Sequence, residues 1–109
     1  MSYDEGLADL MRSDLADTPG IAEKRMFGGI AFMLDGNMLC GVHPGAAMFR
    51  VGKDNEPFAL AIPGARQMAL TGRRMGGFVE VDAEAMADET RRTRMLDLAF
   101  DFVRALPAK

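Results

Sequence analysis

Asp35-Gly36 lies between two apolar runs, and this arrangement constrains the fold more than any other feature of the chain. Residues 30–34 precede it and residues 37–42 follow. Glycine accepts positive φ, so Asp-Gly between such runs predicts a two-residue hairpin turn. A two-residue loop sets Leu34 opposite Asn37, Met33 opposite Met38, Phe32 opposite Leu39 and Ala31 opposite Cys40. One face then carries Ile30, Phe32, Leu34 and Leu39. The other carries Ala31, Met33, Met38, Cys40 and Val42. A strand pair with one solvated face alternates apolar with polar, but this pair is apolar on both faces. Its second face needs a cover, either another part of the chain or a second copy. Met33, Met38, Cys40 and Val42 are therefore the candidate interface residues.

The remaining elements follow from periodicity and punctuation. Ser2-x-x-Glu5 reads as a capping box. Tyr3, Leu7, Leu10, Met11 and Leu15 recur at helical spacing behind it, and Thr18-Pro19-Gly20 stops that helix. Residues 21–26 read as a short extended approach to the hairpin. His43-Pro44-Gly45 makes a turn into a third strand at 47–51. Residues 56–61 predict a short helix, with Asp54 or Asn55 as cap and Pro57 in its first turn. Two more strands follow at 66–70 and 76–81. Asp82 caps a final helix, with a break expected near Asp88. Beyond the break, Met95, Leu96, Leu98, Ala99, Phe100, Phe102, Val103 and Leu106 give it a broad apolar side. The expected fold class is α+β: one domain over residues 1–109, two layers, order α-β(3)-α-β(2)-α, with an antiparallel sheet.

Charge narrows the function classes. The chain has 109 residues and a net charge of −3, with a pI of about 5.1, which disfavours a domain that grips nucleic acid by bulk charge. The charge is unevenly spread. Residues 1–20 hold five acids and one base, residues 21–78 hold seven bases and four acids, and residues 79–109 hold seven acids and five bases. The middle segment can thus form a positive surface that the total hides. Cys40 is the single cysteine, so an intrachain disulfide is excluded and a reducing cytoplasm is the expected location. No apolar run reaches the roughly 18 residues of a membrane helix. The acidic opening Met-Ser-Tyr-Asp-Glu does not suit a signal peptide. Ten methionines and no tryptophan suit an adaptable core or a binding face equally.

Arg25-Met26-Phe27-Gly28-Gly29, running on through Ile30-Ala31-Phe32-Met33-Leu34-Asp35-Gly36, resembles the opening of the N-terminal domain of the TfoX/Sxy competence regulators. Met48-Phe49-Arg50-Val51 and Gly76-Gly77-Phe78-Val79-Glu80-Val81 fit the same pattern, so the resemblance spans about residues 4–105. It implies a two-layer α+β fold similar to secretion-chaperone-like domains, and a link to regulation of DNA-uptake competence. Full-length regulators of this kind carry a second, C-terminal helical domain, which is not expected within residues 1–109.

Each candidate site has a bland alternative. Gly28-Gly29 after Lys24-Arg25, and Gly76-Gly77 after Arg73-Arg74, could approach an anion through backbone N–H groups. Both pairs lead into strands rather than helices, which favours a bulge or a close chain crossing. Cys40-x-x-His43 supplies two metal ligands where zinc wants about four, so no metal and no cofactor are expected. As a nucleophile and base, the same pair lacks a placed orienting residue. In Arg91-Arg92-x-Arg94, helical spacing puts residues 91 and 94 on one side and 92 away from them. With Asp88, Glu89 and Asp97 close by, the run reads as a solvated face, with a docking patch for an acidic partner as the alternative.

The expected function is therefore a non-enzymatic regulatory or adaptor module that contacts a protein partner, itself included as a homodimer. No membrane and no small-molecule substrate are expected. The alternative is a nucleic-acid-associated co-regulator using Arg25, Arg50, Arg66, Arg73 and Arg74, together with Met26, Phe27, Gly28 and Gly29.

Overall fold

A computed structural model describes residues 3–26, 28–70 and 72–109, with backbone alone at Leu70 and Arg74. Helix α1 (Glu5–Leu15) starts where Asp4 accepts the Gly6 and Leu7 N–H groups, at 2.8 and 3.3 Å. Asp4 thus does the capping expected of Ser2, which lies outside the described residues. The strands are β1 (Ile21–Met26), β2 (Gly29–Leu34), β3 (Asn37–His43), β4 (Ala46–Arg50), β5 (Ala65–Leu70) and β6 (Arg73–Val81). A single 3₁₀ turn at Lys53–Asn55 and helix α2 (Glu56–Leu60) separate β4 from β5. Helices α3 (Ala83–Ala87) and α4 (Glu89–Val103) close the chain. The sheet is antiparallel throughout, in the order β1-β2-β3-β4-β6-β5.

Two expectations change in detail. Residues 21–26 are a full edge strand rather than an approach, so four strands precede α2 instead of three. Their sequence, Ile-Ala-Glu-Lys-Arg-Met, lacks apolar alternation because an outermost strand has little to bury, and charges guard its open edge. Asn55 does not cap α2 with its side chain. Instead its Nδ2 donates to the Leu98 carbonyl at 3.3 Å and to the Asp101 carboxylate at 3.1 Å. The expected break near Asp88 is present. This residue leaves helical geometry (φ −90°, ψ 110°) and caps α4 by accepting the Arg91 N–H at 3.2 Å.

The hairpin turn forms as its residues predict, with Asp35 at φ 51° and Gly36 at φ 86°. Leu34 faces Asn37 and Met33 faces Met38, but a bulge between Phe32 and Met33 then shifts the register. Phe32 pairs with Cys40, Ala31 with Gly41 and Ile30 with Val42. The extra residue turns Cys40 and Val42 toward the face that carries Ile30, Phe32 and Leu34. This corrects the expected interface set. Cys40 and Val42 are fully buried in the core beneath the helices, whereas Met33 and Met38 stay on the opposite face.

That core gathers Leu7, Met11 and Leu15 of α1, Met86 of α3, and Met95, Ala99 and Val103 of α4 against Phe32, Leu39, Phe49, Val79 and Val81. Phe32 and Phe49 are each 1% exposed, and burying such a side chain contributes about 1.5–3 kcal/mol. One charged group enters this layer. Arg92 is 8% exposed. Its Nε and Nη2 meet the Asp14 carboxylate at 2.6 and 3.3 Å, and its Nη1 donates to the Met86 carbonyl at 2.8 Å. Arg92 therefore ties α4 to α1 and α3, which corrects its reading as part of a solvated face. The C-terminus is clasped to the hairpin. Lys109 N–H donates to the Asp35 carbonyl at 2.8 Å, and Asn37 Nδ2 donates to the Pro107 carbonyl at 2.9 Å.

Candidate docking face

The helices all bury their apolar sides in one core, so they cover one face of the sheet. On the other face a hollow of about 200 Å³ is lined by Met26, Met38, Met48, Met68 and Met75, with Phe78, His43, Pro44 and Ala69. Every one of these residues belongs to a strand or to the β3–β4 turn. Met26 comes from one edge strand and Met68 from the other, so the sheet curls to bring both edges to a single depression. Gly41 lies on this face as well. A Cβ there would come within 2.9 Å of the Met48 methyl and 2.5 Å of the Ile30 carbonyl oxygen.

The polar groups beside the hollow are organised around one carboxylate. Glu80 pairs across the sheet with Met48 and Arg66. It accepts from Arg66 Nε at 2.8 Å and meets His43 Nε2 at 2.9 Å. Glu80 is largely buried and Arg66 is half exposed. His43 is thus half-buried and engaged, rather than exposed as a turn residue would be. By strand register, Lys24 and Arg50 lie on this same face. Among the described strand residues, Glu80 is the only carboxylate there. The helix layer is acidic by contrast, since residues 1–20 carry five acids against one base. The uneven charge along the sequence therefore becomes an uneven charge between layers.

The residues singled out from the sequence are partly assembled here. Arg66, Arg50 and Met26 lie on the outer face. Arg25 pairs with Ile30 and so lies on the helix side. Arg73 is exposed at the start of β6, and the side chain of Arg74 lies outside the described residues, as does Phe27. The arginines therefore do not share one surface. Gly28 has φ 74°, and a Cβ on Gly29 would meet the Val42 carbonyl oxygen at 2.2 Å, so close chain approach accounts for this glycine pair. Gly77 has φ 87°. Its N–H donates to the buried Glu56 carboxylate, and its carbonyl accepts from Val51 and Gly52 at 2.9 and 3.0 Å. Its backbone is committed to the fold.

Cys40 and His43 face opposite sides of the sheet, because Val42 lies in the core with Cys40 and strand neighbours alternate. Burial pushes the Cys40 thiol well above its ordinary pKa, which keeps it protonated and poorly nucleophilic. Among the described residues, no three His, Cys, Asp or Glu side chains converge as a metal site. No described helix is long and apolar enough to cross a membrane. The methionine hollow is the feature that sequence reasoning missed. Its signal was present in the ten methionines, but the residues are far apart in the chain and only sheet curvature joins them.

The sequence model of the TfoX N-terminal domain family matches residues 13–103. The chain belongs to this family. No curated protein and no solved structure matches it. As a TfoX N-terminal domain it is one of a group of regulatory domains linked to competence regulation. The match takes in every strand, helices α2 to α4, and the last turn of α1. The methionine hollow and the Glu80 cluster therefore lie wholly inside the family region.

Proposed function

We propose that this TfoX N-terminal domain is a regulatory adaptor whose outer sheet face holds an acidic, amphipathic segment of a protein partner. The reading rests on one observation: a methionine-floored hollow, uncovered by the chain's helices, on a face where cations outnumber carboxylates. Methionine is unbranched and polarisable, so its side chains re-pack around an inserted apolar residue. A hollow of about 200 Å³ suits one large side chain as an anchor. Lys24, Arg50 and Arg66 would meet acidic residues flanking that anchor, adding attraction and orientation. The negative helix layer repels the same segment, which gives the domain a preferred binding side.

Methyl-labelled methionine NMR tests this directly. The probe is a synthetic peptide of alternating glutamate and leucine with one central phenylalanine. The expected result is saturable movement of the Met26, Met38, Met48, Met68 and Met75 methyl signals, weakening as salt rises. The core signals of Met11, Met86 and Met95 should stay in place. Movement confined to the core methyls, or none at millimolar peptide, refutes the reading. If sedimentation shows a dimer whose dilution shifts the outer methyls without peptide, the occupant is a second copy. A gel shift on duplex DNA at low salt that moves the same signals would favour nucleic acid instead.

A further inference from the structure

A larger cleft lies at the opposite end of β4 from the β3–β4 turn. It has a volume of about 500 Å³, and Phe78, Phe102, Ala105 and Leu106 supply much of its apolar lining. Two cations stand in it, Arg50 and Lys53. The Arg50 guanidinium carbon lies 5.9 Å from the Phe78 ring centre and 5.4 Å from that of Phe102. Cation–π attraction holds the group without consuming its in-plane N–H donors. The Lys53 stem runs over Gly76, where a Cβ would come within 3.0 Å of its Cε. Among the described residues, neither cation has an ion-pair partner. Two acids share the cleft. Asp101 accepts from Asn55 Nδ2 at 3.1 Å, and Asp54 is exposed on the 3₁₀ turn.

We propose that this cleft binds a small amphiphilic anion, a single oxyanion head on an apolar body. The head takes the free N–H edge of Arg50, which matches the two oxygens of a carboxylate or phosphate monoester, with Lys53 as a second charge. The body lies against Phe102 and Leu106. A volume of this size suits a small molecule rather than a macromolecular surface. The cleft adjoins the methionine hollow, sharing Phe78 with it and Arg50 with the outer face, but its anion needs no partner in that hollow.

The test is a ¹⁵N NMR titration of the whole domain with decanoate, decyl phosphate and, as the uncharged control, decanol. The expected result is saturable movement of the Gly52, Gly76 and Gly77 amides with at least one of the two anions, and binding of decanol weaker by about tenfold or more. The stronger of the two anions identifies the head group. Arg50→Gln should weaken binding by about tenfold. Lys53→Gln keeps most of the stem over Gly76 and removes only the exposed charge, so it should weaken binding with unfolding little changed. Equal affinity for decanoate, decyl phosphate and decanol overturns the proposal. So does movement confined to the outer methionines, or the absence of saturation at millimolar ligand with both anions.

Discussion

The two faces of this sheet are built from similar residues and closed by different means. The helix-covered face holds Phe32, Cys40, Phe49 and Val79 under Met86 and Met95, all essentially without exposure. The outer face holds Met38, Met48, Met68 and Met75, with no helix above them. On the first, aromatic, branched and methionine side chains are pressed between sheet and helices at crystal-like density. On the second, flexible thioethers fold over one another and leave a hollow. Apolar composition alone therefore does not make a core. Side-chain shape, and the presence of an opposing layer, decide whether an oily face becomes a rigid interior or an adaptable surface.

The largest effect expected from this difference concerns Cys40. Its thiol is buried on the sealed face and held protonated by desolvation. Labelling by a thiol reagent then requires that face to open, so it should run about a thousandfold or more slower than in denaturant. Fast labelling of the native protein would show that the covered face is not sealed and would break the comparison.

Next in size is Arg92. Its guanidinium joins Asp14 and the Met86 carbonyl across three helices. Arg92→Ala leaves Asp14 and that carbonyl without their donors, and should cost about 3 kcal/mol. Urea unfolding measures it. Arg94→Ala, on the exposed side of the same helix, should change stability by less than about 0.5 kcal/mol. Equal losses for both variants would mean that Arg92 is not the strut that fastens the lid.

Arg92 also marks where sequence reading ran out. Helical spacing separates Arg92 from Arg91 and Arg94, but only the position of α1 shows that its side is buried. Asp14, its partner, is 78 residues away. The family, the α+β class, the Asp35-Gly36 turn and the break at Asp88 were legible because each rests on local geometry or on the order of short motifs. The bulge between Phe32 and Met33 was not legible. It costs one residue of register and carries no glycine signal, yet it moves Cys40 and Val42 across the sheet. Strand β1 was missed for a related reason, since an edge strand has no burial pattern to read. On the outer face, Met33 and Met38 are neighbours by register, but only Met38 lines the hollow. The hollow itself depends on curvature that joins strands β1 and β5, which no spacing in the sequence encodes.

A paired substitution sharpens the contrast between the faces. Met95 is fully buried in the helix-covered core, and Met95→Ala should cost about 3 kcal/mol because the surrounding shell cannot collapse. Met48 is 6% exposed but lines an existing hollow. Met48→Ala widens a space that water can enter and neighbouring methionines can refill, so about 1 kcal/mol is expected. Thermal unfolding of both variants checks this. Losses of equal size would show that the outer face is packed as tightly as the core.

The smallest effect tests how the acidic helix layer is tied to the sheet. Arg12 of α1 reaches the Glu23 carboxylate on β1 through Nε at 2.7 Å and Nη2 at 3.1 Å. The hydrogen bonds from Arg12 hold the Glu23 carboxyl below its ordinary pKa. A carboxylate depressed in this way is ionised in the folded state over a range where the unfolded chain has already taken up its proton. Its stabilisation is therefore complete above the unfolded value of about 4.5 and is lost as pH falls through the lowered folded value. Both side chains are substantially open to water, so screening keeps the effect small. Wild type and Glu23→Gln should differ slightly in urea midpoint at pH 7, and the difference should vanish in strong acid. High salt should shrink it at every pH. A gap that persists in acid would assign the loss to packing of the Glu23 stem rather than to its charge, and α1 would then be held to β1 by the same means as the rest of the core.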